Sequence, residues 1–123
     1  MAVLLVALGG ALGSVARYLV GGWISDRLGV SFPYGTLVIN LTASFVIGFF
    51  LALAQERAGL SPYWRLFVAV GFVGGYSTFS TYEYEAVRLL QDGEMLFAAI
   101  YLVGSMAGGA IAAITGIAVG SLV

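Results

Sequence analysis

From Leu28 to Gln55 the chain runs for 28 residues without a single charged side chain. A stretch of that length and character fits the hydrocarbon core of a bilayer, which takes about 20 mostly apolar residues per helix. The rest of the sequence repeats the pattern. Residues 2–24 carry only Arg17, residues 66–82 carry no charge, and residues 95–123 carry none either. The charges collect between these stretches, at Asp26-Arg27, Glu56-Arg57 and Asp92-Gly93-Glu94. Only 9% of the 123 residues are charged, against roughly 25% in an ordinary soluble domain. A soluble fold this short could not bury such a load of apolar surface. The pattern predicts an all-α integral membrane protein, one domain over 1–123, with four spans near 2–24, 34–54, 64–90 and 95–121.

Composition removes several functions at once. There is no Lys, and the five Arg are offset by six acidic residues, so no basic surface exists for nucleic acid. Cys and His are both absent, which removes disulfides, thiolate chemistry and the commonest general base. No base–nucleophile pair is available, and an enzyme is not expected. The N-terminus lacks the basic region of a cleaved signal peptide. Trp23, Tyr34, Tyr63 and Trp64 stand at segment ends, where such rings favour the headgroup level.

Four spans would place Arg57 and Arg65 on one side and Arg27 and Arg88 on the other. Two against two gives the positive-inside rule no lever. Either both orientations insert and can pair as an antiparallel dimer, or one orientation wins through features outside the Arg count.

The polar residues inside the spans need explanation. Arg17 within the first span costs roughly 2.5–3.5 kcal/mol unless it snorkels; it either reaches an interface or draws anions to a wet vestibule. In the second span Thr36, Asn40 and Ser44 share one helical face. They serve as hydrogen-bonding glue between helices or present the Asn40 amide to a pore. In the fourth span Tyr101 and Ser105 start a similar stripe, continued by Gly108, Ala112 and Thr115. The G-x-x-x-G pairs Gly9/Gly13, Gly104/Gly108 and Gly116/Gly120 read as helix-packing surfaces. Glu85 and Arg88 can pair on a helix.

The third span is the most informative. Residues 71–82 hold three Gly and four Ser or Thr at membrane depth. Glycine costs about 1 kcal/mol in a helix interior, so a break near Gly74-Gly75 is expected. Unwound backbone at that depth requires a cavity or protein partners, and such breaks present carbonyls to cations and N–H groups to anions.

Three motifs in order carry a family resemblance. They are Gly10-x-x-Gly13-x-x-x-Arg17-Tyr18, then Gly35-Thr36-Leu37-x-x-Asn40, then Gly71-Phe72-x-Gly74-Gly75-x-Ser77-Thr78-Phe79-Ser80-Thr81. Over nearly its whole length the chain resembles the Fluc, or CrcB-like, fluoride channels of microbes. The resemblance implies a multi-pass protein of the cell membrane, assembled as an antiparallel dual-topology homodimer in lipid. It implies passive export of cytoplasmic fluoride and so resistance to its toxicity. The implied fluoride pathway includes Asn40 and Phe79, Tyr101 and Ser105 on the fourth span, and Tyr82, Thr36 and Arg17. The implied cofactor is a structural, untransported sodium ion on the backbone carbonyls of Gly74 and Ser77. Three positions depart from the family pattern: Tyr82 replaces a pore Phe, Ser77 a Thr, and Gly109 a Ser. Small multidrug exporters share the size, but they need a carboxylate in the first span, where this chain has Arg17. A holin-like accessory subunit would need neither the Gly-Gly break nor Asn40.

Overall fold

The computed structural model describes residues 1–57 and 59–123, and among these every regular element is helical. Helix α1 spans Ala2–Leu28, α2 Tyr34–Glu56 and α6 Met95–Leu122. These three are long and apolar enough to cross a membrane. Between α2 and α6 lies a third segment made of short pieces. It consists of α3 (Pro62–Trp64), a π-helical stretch Arg65–Val73, α4 (Gly74–Tyr76) and α5 (Phe79–Gln91).

Sequence chemistry sets the boundaries. Gly29 adopts φ 84°, a conformation that side chains with a Cβ resist, and its N–H closes α1 on Ser25 O at 2.9 Å. Pro33 then precedes α2, which starts at Tyr34. Ser61 caps α3 by accepting from Tyr63 N, and Pro62 follows at the first helical position, where its missing N–H costs nothing.

The helices are welded by backbone contact. At Gly13 any Cβ would collide with the Phe72 carbonyl, and at Gly116 with that of Phe45. Gly9 and Gly120 meet the third segment and α2 in the same way, so these glycine pairs are packing surfaces as expected. Gly104 is different: no atom lies within 4 Å of its Cβ direction. The π-helical stretch lies on α1, whereas α5 lies on α6. The third segment therefore crosses α2 on its way from one neighbour to the other. A compact cluster of Phe32, Tyr82, Ala86, Leu89, Ala98 and Tyr101 fixes α5 between the α1–α2 connection and α6.

Candidate functional site

The expected break is present, but it does not fall on the glycine pair. Gly74 keeps helical dihedrals, φ −60° and ψ −36°, and α4 runs through Gly75 to Tyr76. The chain unwinds at Ser77 (φ −79°, ψ 157°) and Thr78 (φ −149°, ψ 121°). The reason is packing. A Cβ on Gly75 would lie 2.5 Å from the Gly10 carbonyl oxygen, so this glycine lets α4 seat on α1 rather than unwind. Unwinding comes one turn later, at hydroxyl residues that offer the backbone alternative partners.

Asn40 supplies those partners. Asn40 Nδ2 donates to Thr78 O at 3.1 Å, and Thr78 N donates to Asn40 Oδ1 at 3.0 Å. Thr78 Oγ1 then caps α5 by accepting from Thr81 N at 3.3 Å. The two bonds with backbone donors each divert an N–H from its helical acceptor four residues back. Thr78 N would otherwise serve Gly74 O, and Thr81 N would serve Ser77 O. The break removes the helical donors of the carbonyls from Gly74 to Ser77, and among the described residues Gly75 O alone of these regains a side-chain donor, Arg17 Nε. The Ser77 hydroxyl turns inward instead, donating to Val73 O at 2.9 Å. Among the described residues no His, Cys, Asp or Glu cluster has metal-holding geometry. Gly74 O and Ser77 O, at the two ends of this freed stretch, are hard oxygen donors, which fit a small hard cation.

Two pockets meet at the break, and Thr78 lines both. The wider, about 520 Å³, is lined by Arg17, Thr36, Thr81, Glu85 and Arg88 among others. Arg17 Nε donates to Gly75 O at 3.3 Å, so this guanidinium is tied to the third segment at the rim of a polar cavity. The second pocket, about 330 Å³, brings Asn40, Ser44, Phe79, Tyr82 and Ser105 together with Ser77. Of the sequence-predicted residues, Arg17 and Thr36 thus lie on the wider pocket, Asn40, Ser77, Phe79, Tyr82 and Ser105 lie on the second, and Gly74 and Tyr101 line neither.

Individual side chains then differ in what they can offer. The Asn40 amide nitrogen carries two hydrogens, and only one is used by Thr78. The Ser105 hydroxyl is buried and has no hydrogen-bond partner among the described residues. Ser44 donates back to Asn40 O at 2.8 Å, which turns its proton away from the pocket. Phe79 is 71% exposed. Tyr82, by contrast, is 5% exposed and donates to Leu102 O at 2.7 Å. Its ring packs edge-on against Tyr101 at 5.0 Å. Tyr101 is 1% exposed and lines neither pocket; its hydroxyl donates to Glu85 Oε1 at 3.1 Å. From the sequence, Glu85 reads as a partner for Arg88, and Thr78 has no role beyond its place in the third motif. A hydroxyl at the position before a helix start was the available signal for Thr78.

Residues 4–117 match the family described as CrcB-like protein, Camphor Resistance (CrcB). The chain belongs to the CrcB family. Its curated relatives include a protein of Acidobacterium capsulatum, 51% identical, with 98% of this chain and 97% of the relative covered. Another, of Chlorobium chlorochromatii, is 52% identical over 94% of this chain and 88% of its own length. A third, of Thermus thermophilus, is 50% identical over 95% and 91%. All three are named fluoride-specific ion channel FluC, a name that describes a channel and not an enzyme. CrcB membership and the three span-capable helices make this a multi-pass membrane protein.

Proposed function

We propose that this chain is a fluoride channel of the cell membrane, which lets cytoplasmic fluoride leave passively down its gradient. The observation that carries the reading is the Asn40–Thr78 clamp. It holds open a break between two pockets that carry polar side chains in an otherwise apolar protein of the CrcB family. Fluoride is small and strongly hydrated, so leaving water requires several donors at once. The second pocket has them: the spare Asn40 N–H, the unpartnered Ser105 hydroxyl and the N-terminus of α5, whose dipole favours anions. Bonds from such donors to a charged partner contribute about 1.5–3 kcal/mol each. The ring of Phe79 adds the positive edge of its quadrupole. Arg17 and Thr36 line the wider pocket and serve as its anion-gathering mouth. Tyr82 lines the second pocket, and Tyr101 packs behind it.

The assembly we propose is an antiparallel homodimer of four-span copies, with the third segment as the fourth crossing. Supporting this are Phe79 and Met106, large apolar side chains that line the second pocket and are left exposed. Gly74 is also exposed, and no atom lies within 4 Å of where its Cβ would be. Sodium, when bound, would be held by the carbonyls of Gly74 and Ser77 from each copy and would supply a fixed charge between them.

The test is efflux from liposomes loaded with fluoride or with chloride, read by an ion electrode. Fluoride should leave quickly and chloride hardly at all, without any imposed proton gradient. Equal efflux of the two anions, or a strict need for a proton gradient, would refute the proposal.

A further inference from the structure

We infer that Thr42 and Tyr76 form a hydroxyl latch that positions two of the freed carbonyls, Gly74 O and Ser77 O, for a cation. The inference rests on the sodium reading above but concerns residues outside both pockets. Thr42 Oγ1 lies 2.9 Å from Tyr76 Oη. It also lies 2.8 Å from Val38 O and 3.0 Å from Ile39 O. A threonine hydroxyl has one proton and a carbonyl can only accept. Thr42 therefore donates to its own helix, and Tyr76 donates to Thr42. The result is an ordered chain from phenol to hydroxyl to α2 backbone.

Its placement is what gives the chain a purpose. Tyr76 is the last residue of α4, and Thr78 is the residue held by Asn40. Residues 40 and 42 leave α2 about 200° apart. One helix thus holds the third segment on both sides of Ser77, gripping opposite flanks as the chain crosses over. Arg17 fixes the Gly75 carbonyl from α1. With Gly75, Tyr76 and Thr78 all tied, the peptide planes carrying Gly74 O and Ser77 O have little freedom left. Carbonyls that are already aimed bind an ion more tightly than carbonyls that must first be ordered. Phe72 stacks on the Tyr76 ring at 5.8 Å, so the ring stays in place when the hydroxyl is removed. The latch can then be tested without emptying the site of its packing.

The experiment uses the full chain, purified in detergent, with thermal unfolding followed across a sodium series and with N-methylglucamine as the balancing cation. Fluoride flux is measured in parallel. Tyr76→Phe and Thr42→Val should each raise the sodium concentration for half-maximal stabilisation by about fivefold, the factor for one lost hydrogen bond. The double variant should shift no further than either single one, because both remove the same bond. Thr42→Ser keeps the hydroxyl and should restore the midpoint. A sodium midpoint unchanged in both single variants, with only the sodium-free melting temperature lowered, would overturn the latch and leave the sodium site standing. Additive shifts would also overturn it. A parent protein with no sodium response would overturn the sodium reading, and the latch with it, whereas the flux assay would still report on the channel.

Discussion

The side-chain amide of Asn40 pairs with the backbone of Thr78 as a neighbouring strand would, giving and taking one hydrogen bond at 3.1 and 3.0 Å. A single residue on α2 thereby satisfies both polar groups of an unwound residue at membrane depth, where unpaired backbone is prohibitive. The glue role legible in the sequence is thus present: one amide hydrogen holds the fold, and the second has no protein partner among the described residues.

Asn40→Ala should therefore damage stability and conduction together. It leaves Thr78 N–H and C=O without partners, each costing about 1–3 kcal/mol when buried. Thermal unfolding in detergent should show a clear drop, and fluoride efflux should fall at least tenfold. A variant that keeps full stability and loses only flux would mean that Thr78 has another partner.

Phe79→Ile should do the opposite. The ring is mostly exposed in the single chain and holds up nothing within it, so unfolding should change little. Flux should fall strongly, because an aliphatic side chain has no positive ring edge to offer an anion. Efflux measured beside a size-exclusion profile separates the two effects. Normal flux would remove Phe79 from the pathway.

The membrane character, the helical class and the existence of a break were all legible, because charge partition and glycine–hydroxyl clustering are local signals. The position of the break was not. Gly74-Gly75 looked like the weakest point, yet Gly75 is needed small for its contact with Gly10, which lies 65 positions earlier in the chain. The unwinding went instead to Ser77-Thr78, where Asn40 could receive it. The same limit applies to Glu85. Its helical neighbour Arg88 was visible, but its acceptance from Tyr101 depends on how α5 lies on α6. Contacts between helices carry no periodic signature that one sequence can reveal.

Tyr82→Phe restores the ring usual in the Fluc pattern and removes the 2.7 Å bond to Leu102 O. Leu102 is inside α6 and keeps its helical donor, so no carbonyl is orphaned. The loss should be about 1 kcal/mol of stability, with fluoride flux within a few-fold of the parent. A collapse of flux would show that the hydroxyl, and not the ring, matters to the pathway.

Adjacent glycines allow assembly to be separated from folding. Gly75→Ala puts a Cβ 2.5 Å from the Gly10 oxygen and 3.1 Å from its Cα. Backbone on both sides leaves no flexible side chain to yield, so α1 and the third segment must part. The folded chain itself should be lost or strongly destabilised. Gly74→Ala meets nothing within 4 Å in the same chain, and Gly74 has ordinary helical dihedrals, so alanine fits and slightly favours the helix. If a second copy seats on this face, the added methyl will be felt there alone. Gly74→Ala should then fold, as judged by circular dichroism, while shifting a size-exclusion profile from dimer toward monomer. Gly74→Leu should complete the shift and abolish flux. An intact dimer with normal flux in Gly74→Leu would show that this face is not where two copies meet.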